Sequence, residues 1–478
     1  MLRALALAGA VLAFASPALA QLETPTGVSL EKVSEKWTGD LDGMVQRRLV
    51  RVLTPYSMTH YFIDKGVQRG LVYDAAVQVE KALNKKFKTG HLKVHVVVIP
   101  TPRDQLIPGL LNGSGDIAAA GLTVTPEREK LVAFAPPTFS DVSEIAVTGP
   151  ASPPLATVDD LSGKTVFVRK SSSYWASLEE LNARFKQEGK AAVVLQPAPE
   201  SLEDEDLLAM TNAGLVGIVV VDDYLAQFWA QVLPKIVLHE AVAVRTGADI
   251  APAYRKDNPQ LGALLDSLKS VYGAKSSFSN QSVTRYLKQT KYVKDATSPE
   301  DLNRFLELIK YFQDYGGQYK LDWLMMAAQG YQESKLDQNA KSHVGAVGVM
   351  QVMPTTGKDL KVGDIRKVEA NIHAGTKYMR LMIDQYYANE PMSELDKTLF
   401  AFASYNCGPG RVRQLRAEAK KLGLDPNVWF GNVERVAAKR IGRETVTYVG
   451  NIYKYAVAYQ LALAQIQQRN ADKETVKN

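Results

Sequence analysis

Glu333 is the side chain of this sequence best placed for acid–base chemistry. It stands near the end of KLDWLMMAAQGYQES, residues 320–334, where Asp322 occupies an N-cap position and Leu324, Met325, Ala328, Tyr331 and Gln332 recur along one face. The spacing predicts a buried helix that carries the carboxylate at its C-terminal end. The partial negative charge of a helix C-terminus and an apolar surround both raise a carboxyl's pKa. A carboxyl kept protonated near neutrality is what a general acid requires. Local features alone fit an exposed glutamate at a fraying helix end better; three further blocks change the balance. GAVGVMQVMP, 345–354, offers Gly345 and Gly348 for a tight turn with close backbone approach, and the Gln351 amide for hydrogen bonds. FASYNCG, 402–408, and ETVTYVGNI, 444–452, add a Tyr–Asn pair and a further Tyr. A second candidate site lies upstream in GDIAAAGLTVTPEREKLVAFAPPTF, 115–139, where hydroxyls precede Arg128. A buried guanidinium forks onto a carboxylate, hydroxyls and strand-end amides supply further donors, and an acid opposite can take an ammonium. The other reading has Arg128 paired with Glu127 or Glu129 at a helix start and Asp222 acting as a cap.

The elements that must position these groups divide the chain by rhythm. At 478 residues it is too long for one ordinary core, so two or three folding units are expected. From about 48 to 275, short β-branched runs (LVRVLT 48–53, VHVVVI 94–99, SEIAVT 143–148, TVFVR 165–169, VGIVVV 216–221) alternate with amphipathic helical stretches such as GLVYDAAVQVEKALNKKF. That alternation predicts an α/β unit with largely parallel sheets. A polar stretch, 276–300, reads as a linker, and Ser298-Pro299 as a boundary leading into a helix. Helical patterns then dominate 301–468, ending in the long amphipathic YVGNIYKYAVAYQLALAQIQ, with a polar tail at 469–478.

The first twenty residues, MLRALALAGAVLAFASPALA, read as a secretory signal cut before Gln21, with an apolar run too short to span a membrane. Residues 21–47 are a lead segment to the first unit. No Cys stands at the cut, so no lipid anchor is expected, and Cys407, the sequence's one cysteine, can form no internal disulfide. Loss of Arg3 with the leader lowers the formal charge of +6 by one. The remaining excess is spread along the chain, which fits a mixed solvated surface, and no aromatic-interleaved basic cluster points to nucleic acid. The expectation is a soluble protein of an extracytoplasmic space, with peripheral association at an outer membrane left open.

The 115–139 segment resembles the bacterial solute-binding fold that recognises amino acids, with its strand, Thr-rich turn and following Arg. Other pieces follow in order: GLVYDAAVQVEKAL, GKTVFVRKSSSYW (163–175), VVVDDYLA (219–226), and AVAVRTGADIAPAYRKDNPQLGALLDSL as a return crossing to the first lobe. The resemblance implies two lobes over 48–275, with Arg128 holding a ligand carboxylate, Thr123 and Ser172 adding hydroxyls, and Asp222 facing the amine. Gly217 stands where that family often has an acid, which bears on ligand chemistry.

The ES of 333–334 and the three blocks after it resemble, in order, the lytic transglycosylase domain of the soluble-lytic type, a mainly α, lysozyme-like fold that cleaves peptidoglycan. With the solute-binding unit ahead of it, the chain is similar to the membrane-bound lytic transglycosylase F group. The resemblance makes Glu333 the catalytic acid and base, and Ser334, Met350, Gln351, Tyr405, Asn406 and Tyr448 a glycan-binding groove, with Tyr448 fixing the Glu333 rotamer. Met350 and Met353 are on residue type more often core. Glycosidic cleavage commonly uses two carboxyls, but the blocks offer one; Asp337, four residues on, falls past the helix end. One carboxyl suffices where the N-acetyl oxygen of N-acetylmuramic acid assists departure at C1 and its own C6 hydroxyl then attacks, leaving a 1,6-anhydro end. Cys407 reads as a packed thiol, His343 and His373 as surface or structural, and neither a metal nor another cofactor is implied. Three readings stand: a lytic transglycosylase with a domain sensing an amino acid or muropeptide, a hydrolytic muramidase, and a solute-binding or scaffold protein with an inert enzyme domain.

Overall fold

The computed structural model describes residues 31–64, 67–150, 152, 155–273, 276–290 and 299–477. The expected leader and residues 291–298 of the linker lie outside the described residues. In chain order the strands are β1 (Leu49–Thr54), β2 (Phe62–Asp64), β3 (Val67–Arg69), β4 (His95–Pro100), β5 (Ile117–Ala118), β6 (Ala133–Phe134), β7 (Phe139–Thr148), β8 (Thr165–Arg169), β9 (Val194–Ala198), β10 (Ile218–Asp222), β11 (Val237–Ile250) and β12 (Ala253–Tyr254).

The first lobe is a five-stranded sheet of order β4-β1-β5-β12-β6, covered in part by α1 (Leu71–Lys86). β1 runs parallel to β4, from Leu49 opposite His95 to Thr54 opposite Pro100, and parallel to β5. From Val50 to Thr54 it is buried on both faces, Arg51 included, which is fully buried and ion-paired with Asp116 at 2.9 Å. Arg51 also donates to the carbonyls of Glu35 (2.6 Å) and Trp37 (3.0 Å), fastening the lead segment to the sheet. The second lobe holds an antiparallel sheet of order β10-β7-β11 and a parallel pair, β8-β9. The expected parallel pairing therefore holds for β4-β1-β5 and β8-β9 only. β7 carries the chain out of the first lobe and β11 brings it back beside β7, so these two neighbours must run in opposite directions.

The described part of the polar linker is packed, with Tyr286 and Leu287 buried and Arg285 paired with Asp74 at 2.8 Å. Beyond it the chain is helical: α2 (Pro299–Tyr319), α3 (Trp323–Ser334), α4 (Val368–Tyr386), α5 (Glu394–Cys407) and, after shorter helices, α6 (Arg443–Lys477). Asp322 caps α3 as expected, accepting from the Leu324 amide at 2.8 Å, and Leu324 to Tyr331 are all buried. These side chains meet Phe312, Ile372, Phe400, Phe402, Val449 and Ile452 in one apolar core. His373 is structural: its ring stacks on Tyr315 at 4.2 Å and bonds the Tyr319 hydroxyl at 2.6 Å, joining α2 to α4.

α6 continues through the residues expected as a tail and spans both units. Lys454 pairs with Glu80 of the first lobe at 2.9 Å, and Arg469 pairs with Asp206 (2.5 Å) and Glu205 (3.1 Å) of the second. A third bridge between the units is Arg48 with Glu434, at 2.5 Å. No helix among the described residues is long and apolar enough to cross a membrane.

Candidate active site

Glu333 sits in the last turn of α3, half-buried, and its Oε1 accepts from the Tyr448 hydroxyl of α6 at 2.5 Å. Burial raises its pKa to about 7, against the opposing pull of the Tyr448 hydrogen bond. Among the described residues no second carboxylate acts on its proton affinity. Asp337 is exposed, and its Oδ1 accepts from the Asn339 amide at 2.8 Å, closing the turn after the helix. The Tyr448 phenol is itself held well above its ordinary pKa by burial and by the charge of Glu333.

The turn at 345–353 is fixed against Glu333 from three sides. The Ser334 hydroxyl donates to the Val349 carbonyl at 2.8 Å, and the Tyr405 hydroxyl of α5 donates to the Met350 carbonyl at 2.7 Å. From α4 the fully buried Asn371 accepts from the Met350 amide at 2.8 Å and donates to the Val347 carbonyl at 2.9 Å. Gly348 adopts φ +79°, and a Cβ there would meet the Asn371 amide nitrogen at 2.4 Å. Gln351, also at positive φ (46°), donates from its amide to the Gly348 carbonyl at 2.9 Å and the Ala340 carbonyl at 3.2 Å.

Met350 is fully buried against Gly375, so its side chain supports the turn from behind and does not line a groove surface. Asn406 lies beside Tyr405 at the end of α5, and its Oδ1 accepts from the Thr445 hydroxyl at 2.6 Å. Cys407 is half-buried with its thiol pKa raised by burial, which makes it a poor nucleophile. Thus Glu333, Ser334, Tyr405 and Tyr448 are joined to one another or to the 345–353 turn, and Asn406 is tied to the start of α6. Among the described residues no group of His, Cys, Asp or Glu is arranged to hold a metal ion.

In the solute-binding unit, Arg128 and Ser172 line one pocket with Arg103, Arg169, Ser171 and Tyr174. Arg128 donates to the Thr123 carbonyl (2.9 Å) and, across the lobes, to the Ser171 carbonyl (3.2 Å), and has no ion pair with Glu127 or Glu129 among the described contacts. The Thr123 hydroxyl bonds that of Ser173 at 2.9 Å. The Ser172 hydroxyl caps the following helix and donates to the Arg169 carbonyl at 2.7 Å. Asp222 ends the buried strand β10, 1% exposed, and is not among the residues that line this pocket. Burial, with Asp204 and Glu144 nearby, raises its pKa well above the ordinary carboxylate value.

The transglycosylase SLT domain model matches residues 310–427, and that of the bacterial extracellular solute-binding proteins, family 3, matches 50–271. The chain is 30% identical over 427 residues to the membrane-bound lytic murein transglycosylase F of Desulfosudis oleivorans, covering 86% of each chain. The chain belongs to the membrane-bound lytic murein transglycosylase F family. Its namesake in Saccharophagus degradans is 27% identical over 378 residues, 72% of this chain and 70% of that one. Among solved structures, an ancestral arginine-binding protein bound to arginine is 23% identical, covering 50% of this chain and 97% of that chain with a TM-score of 0.40.

Three residues of this transglycosylase F family member that sequence reasoning passed over stand close to its candidate sites. Asn371 holds the turn, and Gln329 donates to the Tyr448 hydroxyl at 3.2 Å from a fully buried position. Both carry a signal that could have found them, a polar side chain on the apolar face of a helix. Arg103 forks onto Glu203 across the lobes at 2.8 to 3.0 Å, and nothing local links two residues a hundred positions apart.

Proposed function

We propose that this protein cleaves the β-1,4 bond between N-acetylmuramic acid and N-acetylglucosamine in peptidoglycan without water, leaving 1,6-anhydromuramoyl ends. The observation that carries the reading is a single carboxyl, Glu333, with its pKa raised to about 7 and with Tyr448 on one oxygen. Protonated, Glu333 gives its proton to the glycosidic oxygen as the C1–O bond breaks, while the substrate's N-acetyl oxygen closes on C1. The carboxylate then takes the proton of the C6 hydroxyl as that oxygen attacks C1 and releases the acetamido group. Gln351, Asn406 and the backbone of the 345–353 turn supply amide groups suited to sugar hydroxyls and N-acetyl groups, and Ser334 and Tyr405 hold that turn. Cleavage in water enriched in heavy oxygen, followed by mass spectrometry of the released muropeptides, is expected to give unlabelled anhydro ends. Labelled reducing ends as the main first product would assign the protein to hydrolytic muramidases.

The solute-binding unit fits a regulatory role toward a carboxylate-bearing ligand, an amino acid or a muropeptide from the same wall, at Arg128, Thr123 and Ser172. Calorimetric titration of stem peptides and amino acids into the full chain, with Arg128→Ala alongside, tests this. Binding that disappears in the variant and changes the cleavage rate fits a sensor, whereas binding that leaves the rate unchanged makes the unit a docking module. An envelope location, in the periplasm and peripheral to the outer membrane, fits both the expected leader and the substrate.

A further inference from the structure

We propose that Gln329 is a positioning residue of the cleavage reaction: by donating to Tyr448 it commits that phenol's one proton to Glu333 Oε1, and so keeps the acid's own proton on Oε2. The inference rests on Glu333 being the acid. Gln329 lies one turn before Glu333 on α3, at the spacing that places two side chains on one face. Its Nε2 donates to the Tyr448 oxygen at 3.2 Å, and the Tyr448 hydroxyl donates to Glu333 Oε1 at 2.5 Å.

A phenol has one proton to give, and an amide nitrogen can only donate. Two directions of this relay are chemically allowed. In the direction observed, amide to phenol to carboxylate, Oε1 is already facing a donated proton. A proton carried by the carboxyl is then held on Oε2, which takes no hydrogen bond from the described residues. In the reverse direction, Oε1–H gives to the phenol and the phenol gives to an acceptor at position 329. The acid's proton is then sealed inside the relay, where the leaving oxygen cannot take it. An amide nitrogen aimed at Tyr448 disfavours that second arrangement, since it offers the phenol proton no acceptor.

Gln329 is an expensive way to fill its position unless the donor is used. It is fully buried on a helix whose Met325, Met326, Ala328 and Tyr331 are buried with it, and its Oε1 has no hydrogen-bond partner among the described residues. A buried amide left half satisfied destabilises a core that an apolar side chain of the same length would fill without that cost. Among the described residues the titratable groups facing Glu333 are Tyr448 from α6 and Tyr405 from α5, and no charged side chain adds to burial and Tyr448 in setting its proton affinity. Chained hydrogen bonds strengthen one another, so Gln329 also makes Tyr448 the better donor and favours the carboxylate.

The test compares Gln329→Met and Gln329→Glu with wild type on purified peptidoglycan, and repeats Gln329→Met in a Tyr448→Phe background, with melting curves as the folding control. Gln329→Met is expected to lower kcat about five- to tenfold with KM within about twofold, an effect smaller than loss of the acid itself. It should also move the alkaline fall of kcat to higher pH, because Glu333 then holds its proton longer. Gln329→Glu, which accepts the Tyr448 proton, should lower kcat further. In the Tyr448→Phe background the Met substitution should add nothing, since the partner through which it acts is gone. A Gln329→Met enzyme with unchanged kcat and pH profile, or an effect that adds fully to Tyr448→Phe, overturns the assignment; should Gln329→Met fail to fold, Gln329→Leu takes its place under the same criteria. Activity surviving in Glu333→Gln would instead overturn the acid assignment beneath it.

Discussion

The half-buried carboxyl of Glu333 keeps its proton up to about pH 7, whereas in an unfolded chain it titrates near the ordinary glutamate value of 4.5. A folded-state pKa raised above the unfolded one means that the group costs nothing below pH 4.5, and that stability is lost as pH rises toward and through 7. At pH 8 the charged Glu333 therefore destabilises the fold by at most about 3 kcal/mol. Glu333→Gln is expected to resist urea better than wild type at pH 8, by about 1–3 kcal/mol, with the difference closing by pH 4.5. The same variant should lose cleavage by about 10²–10⁴, and the wild-type rate should fall as pH rises past about 7, as the acid form disappears. A variant no more stable than wild type at pH 8 would show that the carboxyl is ionised there at no cost. At this scale the sequence revealed Glu333 as a helix-end carboxylate. The family resemblance set Tyr448 on that carboxylate, where the structure has it, but Gln329 was not legible, because it reaches Tyr448 through packing of α3 on α6 rather than through local spacing.

The 345–353 turn is an element built around the absence of a side chain. Gly348 and Gly345 both have positive φ, +79° and +94°, but only Gly348 faces an obstruction, Asn371 Nδ2 at 2.4 Å from where a Cβ would stand. Gly345→Ala should cost about 1–2 kcal/mol, the backbone strain alone. Gly348→Ala must also displace Asn371 from the Met350 amide and the Val347 carbonyl, and should cost about 2–4 kcal/mol in denaturant melts. Equal losses in the two variants would mean that Asn371 yields without loss. The glycines and the cap at Asp322 were legible because a tight turn and a helix start are local events. Met350 read as a groove wall only through resemblance; its fully buried side chain packs on Gly375 of α4, a contact that no short window of sequence contains. The sheets divide in the same way: the runs that became β1, β4, β7, β8 and β10 were legible from their β-branched residues, but the antiparallel pairing of β7 with β11 depends on where the chain crosses between lobes.

At the scale of the whole molecule, α6 is the member that both units share. Near its start it carries Tyr448 against Glu333, midway it pairs Lys454 with the first lobe, and near its end Arg469 enters the second lobe, where it also donates to the Tyr56 carbonyl of the first at 3.0 Å. The order of the units was legible, but this strap was not: residues 469–478 look like a polar tail, since the carboxylates they meet lie some 260 positions earlier. Glu205 shows what Arg469 does there. Burial and the neighbouring Asp206 and Glu203 push its pKa up to about 7, and Arg469 opposes that rise. Arg469→Met would leave these carboxylates buried without their guanidinium, at a cost of about 3–5 kcal/mol near neutral pH. The loss should shrink as pH falls toward 5, because Glu205 then protonates and no longer needs a partner, so the melting temperatures of variant and wild type should converge on acidification. If the solute-binding unit regulates cleavage through α6, the same variant should also lose any ligand-dependent change in rate while Glu333 and Tyr448 still cleave. A variant that responds to ligand as wild type does would route the coupling through Lys454 or Arg48 instead.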